Sequence, residues 1–129
     1  RPLMAALRRH HWIETLPHHQ ILEQMRQHDV LLLPSLFEGY ALVISEALSQ
    51  ALPVITTPNS GGTASVRDGI EGFIVPIRNI RAIAERLQQL ADNRDQLAAM
   101  RQACLRRAAE LSWAGYEQGL RLAVGQALQ

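Results

Sequence analysis

Two kinds of apolar pattern alternate along this chain. Continuous apolar runs occur at Val30 to Leu33, in Pro53-Val-Ile-Thr-Thr and in Gly72-Phe-Ile-Val-Pro, and such short runs are typical of strands covered on both faces. Between and after them the apolar residues fall at helical spacing. Ile21, Leu22 and Met25 predict a helix opened by Pro17 as its first residue and running to about His28. Val43, Ile44, Ala47, Leu48 and Ala51 predict a second helix from about Ala41 to Ala51, with Ser45, Glu46, Ser49 and Gln50 on its polar side. Ile80, Ile83, Ala84, Leu87 and Leu90 mark a third, Gln96 to Leu111 a fourth, and Tyr116 to Leu128 a fifth. Leu3 to Leu7 suggests a short helix tail and His11-Trp12-Ile13 a brief strand, while Pro58-Asn-Ser-Gly-Gly reads as a turn and Asp68-Gly69 as a breaker.

Strand, helix and strand within some thirty residues form a βαβ unit. The expected class is therefore α/β, a Rossmann-like parallel sheet with helices on both faces and helices at the C-terminal end. In such sheets ligands bind outside the carboxyl ends of the strands. Two loops leave strand ends of this kind, Pro34 to Tyr40 and Thr57 to Thr63, and they can line one crevice.

The first loop carries the candidate chemistry. Glu38 and Glu46 bracket Glu-Gly-Tyr-Ala-Leu-Val-Ile-Ser-Glu, which runs from the end of a strand into the first turns of a helix. The unpaired N–H groups of a helix start, with the positive end of its dipole, attract phosphate. Two carboxylates beside such a site suit hydroxyl donors, and sugars supply several. A helix beginning near Ala41 puts Glu46 roughly 7 Å along the axis with its side chain tilted back toward the mouth. Gly39, in the turn, permits close backbone approach to a ligand.

Composition narrows the field. A chain of 129 residues suits one domain, expected to span residues 1–129, and a net charge of +1 gives no polyanion-binding surface, so nucleic acid is not an expected partner. All thirteen basic residues are arginine, which removes P-loop and Schiff-base lysines from consideration within this chain. Cys104 stands alone in a helical pattern and reads as a packing residue suited to a reducing compartment. No apolar run approaches the ~20 residues that span a bilayer, and the start lacks a signal-peptide core. The abrupt Arg1-Pro2 start reads as a piece of something longer.

Other constellations carry less. The pairs His10-His11 and His18-His19 point apart on helix or strand, with no Cys or Asp to complete a tetrahedral set, so no metal is expected and the histidines read as solvated. Arg94, Arg101, Arg106 and Arg107, diluted by Asp92, Asp95 and Glu110, read as a solvated helix face. Trp113 reads as packing under the last helix rather than as a sugar-stacking platform. Ser35 and Ser45 have no histidine partner, so nucleophilic hydrolysis has no support.

The segment Asp29-Val-Leu-Leu-Leu-Pro-Ser-Leu-Phe-Glu-Gly-Tyr-Ala-Leu-Val-Ile-Ser-Glu-Ala-Leu closely resembles the nucleotide-sugar site of GT-B fold glycosyltransferases, the retaining family-4 "group 1" enzymes. Ala51-Leu-Pro-Val-Ile-Thr-Thr, Ser60-Gly-Gly, Arg67-Asp-Gly-Ile-Glu-Gly-Phe-Ile-Val-Pro and Leu111-Ser-Trp follow in that family's order, so residues 10 to 115 are covered. The resemblance implies the latter part of the C-terminal, donor-binding domain. It implies that Glu38 contacts hydroxyls of the transferred sugar and that Glu46 holds the ribose. The amides of Gly39, Tyr40, Ala41 and Leu42 would cover sugar and diphosphate, and Glu14, Thr15 and Leu16 would lie at the base. The donor would be a nucleoside diphosphate sugar, with no cofactor and no metal.

Two departures from the family pattern are Ala41, where a glycine is usual, and Ala64-Ser65, where an acidic residue commonly follows the glycine pair. The family's donor-binding arginine and lysine, and its acceptor-binding domain, precede the region matched here, so the chain alone is not expected to catalyse transfer. The parent is expected in the cytoplasm, with membrane-face association open to it. Two rivals stand beside this reading: a sugar phosphorylase or nucleotide-sugar sensor of the same fold, and a ligand-free α/β interaction module.

Overall fold

The computed structural model describes residues 16–33, 41–58 and 65–128. The helix tail at Leu3, the strand at His11 and the turn at Pro58-Asn-Ser-Gly-Gly beyond its first residue lie outside the described residues. Within them the chain forms α1 (His18–Gln27), β1 (Leu31–Leu33), α2 (Ala41–Ser49), β2 (Val54–Thr56), β3 (Gly72–Ile74), α3 (Ile80–Asp92) and α4 (Arg94–Leu128).

The three strands are parallel in the order β1-β2-β3, with Leu31 beside Val54 and Val54 beside Gly72. Side chains alternate across the central strand. Val54 joins a core with Met25, Ile44, Ala47, Leu48 and Cys104, against which Leu31 and Leu33 also pack. Ile55 joins a second core with Phe73, Val75, Leu90, Leu97 and Met100. Helices therefore cover both faces: α1 and α2 lie on the first, α3 on the second, and α4 contributes to each. β1 departs from the expected two-sided cover, because Leu32 is 39% exposed. It is the edge strand of the described sheet, and the helix on that face sits over β2 and β3.

Helix boundaries follow local chemistry. Pro17 occupies the N-cap of α1 (φ −58°, ψ 150°), one position earlier than expected, and its carbonyl accepts from Gln20 and Ile21 N–H groups. Asn79 caps α3, its Oδ1 accepting from Ala82 N at 2.9 Å, and Asn93 Oδ1 accepts from Gln96 N at 3.0 Å to start α4. On α3 the packed residues are Ala82, Ile83 and Leu90, together with Arg86, whose guanidinium lies 4.5 Å over the Phe73 ring, while Ala84, expected on the apolar stripe, is exposed. Ile80 and Leu87 face outward, at 82% and 39% exposed.

α2 ends as a Schellman motif. Leu52 N–H donates to Ala47 O at 2.9 Å and Ala51 N–H to Leu48 O at 3.1 Å, with Ala51 at φ 59°. That left-handed position strains a residue bearing Cβ. Ala51→Gly is expected to raise stability by about 0.5–1 kcal/mol, net of glycine's greater freedom in the unfolded chain, measured as a shift in urea midpoint at constant slope.

The expected break between a fourth and a fifth helix does not occur, since α4 runs unbroken through Ser112, Trp113 and Gly115. A helix glycine costs about 1 kcal/mol, which does not end a helix anchored by earlier turns. The side chain of Trp113 lies outside the described residues.

Candidate functional site

The carboxyl ends of β1 and β2 lie side by side, as a crevice between their loops requires. Leu33 pairs with Thr56, and Thr56 Oγ1 donates to Leu33 O at 3.1 Å, tying the strands together where both chains leave the sheet. Thr56 and the following Thr57 are buried. Of the predicted donor-site residues, Glu38, Gly39 and Tyr40 lie outside the described residues, as do Glu14, Thr15 and the Gly61-Gly62 turn. Ala41 opens α2, the position the phosphate argument needs, and Leu42 in the first turn is 71% exposed. Leu16 is half-buried and precedes α1.

Glu46 is the predicted site residue whose side chain meets a second helix. Its neighbours Ile44, Ala47 and Leu48 are fully buried in the core, which turns Glu46 toward the junction of α2 with the start of α1. There its carboxylate Oε1 lies 3.6 Å from His18 Nε2, and the Glu46 side chain is 20% exposed against 66% for His18. A separation of 3.6 Å is a close polar contact rather than a hydrogen bond. Glu46 is therefore mostly covered rather than a solvated helix residue, and His18 is more than a solvated surface histidine. Nothing local in the sequence announces this pairing, which comes from two helices meeting.

A second carboxylate escaped the sequence reading altogether. Glu71, in the turn before β3, has no solvent exposure. Its Oε2 accepts from the Arg67 backbone N–H at 3.0 Å and its Oε1 from Arg67 Nε at 2.8 Å and from Nη2. The hydrogen bond first, and the charge second, hold the Arg67 guanidinium above its ordinary value. Around this pair the turn is pinned: Asp68 Oδ1 accepts from Ile74 N at 2.9 Å, and Gly69 turns at φ 82°. The Glu71 carbonyl accepts from Val54 N–H at 3.2 Å and from the Cys104 thiol at 3.4 Å. Burial, then the Glu71 charge, pushes that thiol up to about 12, so Cys104 stays protonated and acts as packing, as its sequence context suggested.

Of the basic residues expected on a solvated face of α4, Arg94 and Arg106 are exposed, whereas Arg101 and Arg107 are not. Arg101 pairs with Asp29, with its guanidinium near the carbonyls of His28 and Ala51, and Arg107 Nε donates to Ser65 O at 3.1 Å. Both are half-buried and tie α4 to the segments flanking β1 and β3. Two recesses among the described residues, one of about 190 Å³ beside Ser45 and Ser49 and one of about 240 Å³ beside Ile21 and Met25, include none of the predicted donor-site residues.

Comparison with known proteins gives a consistent result. The family model described as "Glycosyl transferases group 1" matches residues 5–107. A D-inositol 3-phosphate glycosyltransferase from Nocardia farcinica is 32% identical over 104 residues, which is 81% of this chain and 23% of that protein. A UDP-Gal:alpha-D-GlcNAc-diphosphoundecaprenol alpha-1,3-galactosyltransferase from Escherichia coli is 33% identical over 70 residues, 54% of this chain and 18% of that one. The chain thus spans about a quarter or less of the length of these relatives.

Among solved structures, a sucrose-phosphate synthase from Thermosynechococcus elongatus superposes with TM-score 0.79 at 20% identity, over 91% of this chain and 30% of that one. An Anabaena HepE in complex with UDP-glucose superposes with TM-score 0.59 at 20% identity, over 68% of this chain and 24% of that one. At such identities these structures establish the shared fold.

Proposed function

We propose, since the chain belongs to the group 1 glycosyl transferases, that it forms the donor-binding part of an enzyme that moves a sugar from a nucleoside diphosphate onto an acceptor with retention of configuration. Residues 1–129 form one donor-binding unit in this reading. The observation that carries it is the placement of Glu46: a mostly covered carboxylate on α2, the helix that follows β1, beside the start of α1. Such a carboxylate suits the paired hydroxyls of a ribose. A structural relative crystallised with UDP-glucose supports the choice of ligand class.

In the proposed site the amides of Ala41 and Leu42 at the start of α2, together with those of Gly39 and Tyr40, bind the diphosphate. As the bond from anomeric carbon to diphosphate oxygen breaks, the carbon gains oxocarbenium character and the leaving group gains charge. The helix amides stabilise that charge, and Glu38 orients the departing sugar through its hydroxyls. Leu16 and the adjoining Glu14 and Thr15 lie toward the base. The site needs no metal in this scheme, because the amides carry the electrostatic load. The acceptor is held by a further domain of a longer parent, and this chain alone does not turn over a nucleotide sugar. A lone, protonated thiol suits the reducing cytoplasm, where we place the parent.

Calorimetric titration of the chain with UDP-glucose, GDP-mannose and ADP-glucose tests the reading. One of the three is expected to bind, and Glu46→Ala is expected to weaken it about tenfold or more, the loss of roughly two charge-assisted hydrogen bonds. Binding unchanged by Glu46→Ala would remove the ribose role. Absence of binding to all three would favour a ligand-free module, and turnover by the isolated chain would overturn its assignment as a donor-binding part.

A further inference from the structure

We propose that His18 is a positioning residue for the ribose: it holds one oxygen of Glu46 so that the other faces the nucleotide, a role that rests on the donor reading above. Three observations carry it. First, His18 Nε2 stands 3.6 Å from Glu46 Oε1, a contact to one of the two carboxylate oxygens. Second, α2 itself, Ala-Leu-Val-Ile-Ser-Glu-Ala-Leu-Ser, contains no basic residue, so the side-chain nitrogen beside Glu46 comes from α1. Third, His18 is the first residue of α1, so its imidazole is carried on a helix rather than on a loop.

The physical gain is pre-organisation. A glutamate side chain has three free torsions, and ordering it on ligand binding opposes affinity. A histidine imidazole anchored on a neighbouring helix removes much of that loss beforehand. The position also fits the order of the ligand. Leu16 lies two residues before His18, so base and ribose would be read by one continuous stretch of chain entering α1, while the diphosphate lies at the start of α2.

The test compares a ribonucleotide sugar with its 2′-deoxyribose counterpart, using whichever of UDP-glucose, GDP-mannose and ADP-glucose the chain binds. His18→Ala is expected to weaken the ribose form about fivefold, in line with the ordering of one long side chain, and to leave the deoxyribose form within twofold. His18→Gln, which keeps an N–H near the same place, should recover part of the loss. In a Glu46→Ala or Glu46→Gln background, His18→Ala should change nothing further.

Because His18 is 66% exposed, its variants are expected to keep the thermal midpoint of the parent chain, which the same samples report. Equal weakening of ribose and deoxyribose forms would make His18 a general contact and overturn the role. So would an unchanged His18→Ala beside a weakened Glu46→Ala, an outcome that leaves the donor reading standing. An unchanged Glu46→Ala, or no binding at all, would remove both.

Discussion

Gly72→Ala is expected to leave the chain without a stable fold. A Cβ at this position would stand 1.9 Å from the Val54 carbonyl oxygen and 2.7 Å from the Val54 carbonyl carbon and nitrogen. All three are backbone atoms of the central strand, so no rotamer change relieves the overlap. The flanking contacts prevent a local retreat, because Gly72 O accepts from Gly69 N–H at 2.7 Å and Val54 N–H donates to Glu71 O at 3.2 Å. Parting β3 from β2 would open both cores at once. The expected loss is about 4 kcal/mol or more, a large share of the roughly 5–15 kcal/mol that a domain of this size holds. Soluble yield and urea unfolding measure it, and a variant with the parental midpoint would show that the strands separate more cheaply than their contacts indicate.

Glu71→Ala is expected to cost about 3 kcal/mol and to lower the thermal midpoint by roughly 10 °C. The carboxylate is wholly removed from water, and its two oxygens serve three donors of Arg67. Alanine would leave the Arg67 backbone N–H without that acceptor and a void where the buried side chain stood. Arg67 itself is half exposed, so its guanidinium can return to solvent. Glu71→Gln separates the contributions, since it keeps the volume and loses the charge. A smaller loss than for alanine would assign the difference to packing. A midpoint unchanged in both variants would make the pair dispensable.

The sequence was most informative where periodicity and spacing act locally. The start of α2 at Ala41, the burial of Ile44, Ala47 and Leu48, the neighbouring exits of β1 and β2 and the packing role of Cys104 were all legible. Glu71 was not, because Arg-Asp-Gly-Ile-Glu-Gly has the composition of a solvated turn. Its burial is decided by distant partners, a strand at Val54 and a helix at Cys104. Arg101 and Arg107 misled for the same reason: a charged residue looks solvated until the carbonyls and carboxylates of other segments reach it. The gap expected between helices ending at Leu111 and starting at Tyr116 did not open, because a glycine there only lowers propensity and the preceding turns of α4 decide the outcome. For the site, the glutamate on the helix was legible from the apolar stripe beside it. Its histidine neighbour was not, since no spacing rule links residues on helices that meet only after folding.

Leu97 and Met100 of α4 belong to one face of the sheet, and Cys104, a single turn later, to the other. One rod thus rivets together two layers that share little else beyond the strands themselves. Peeling away either layer means extracting the same helix, so the floor beneath the strand ends gives way all at once or not at all.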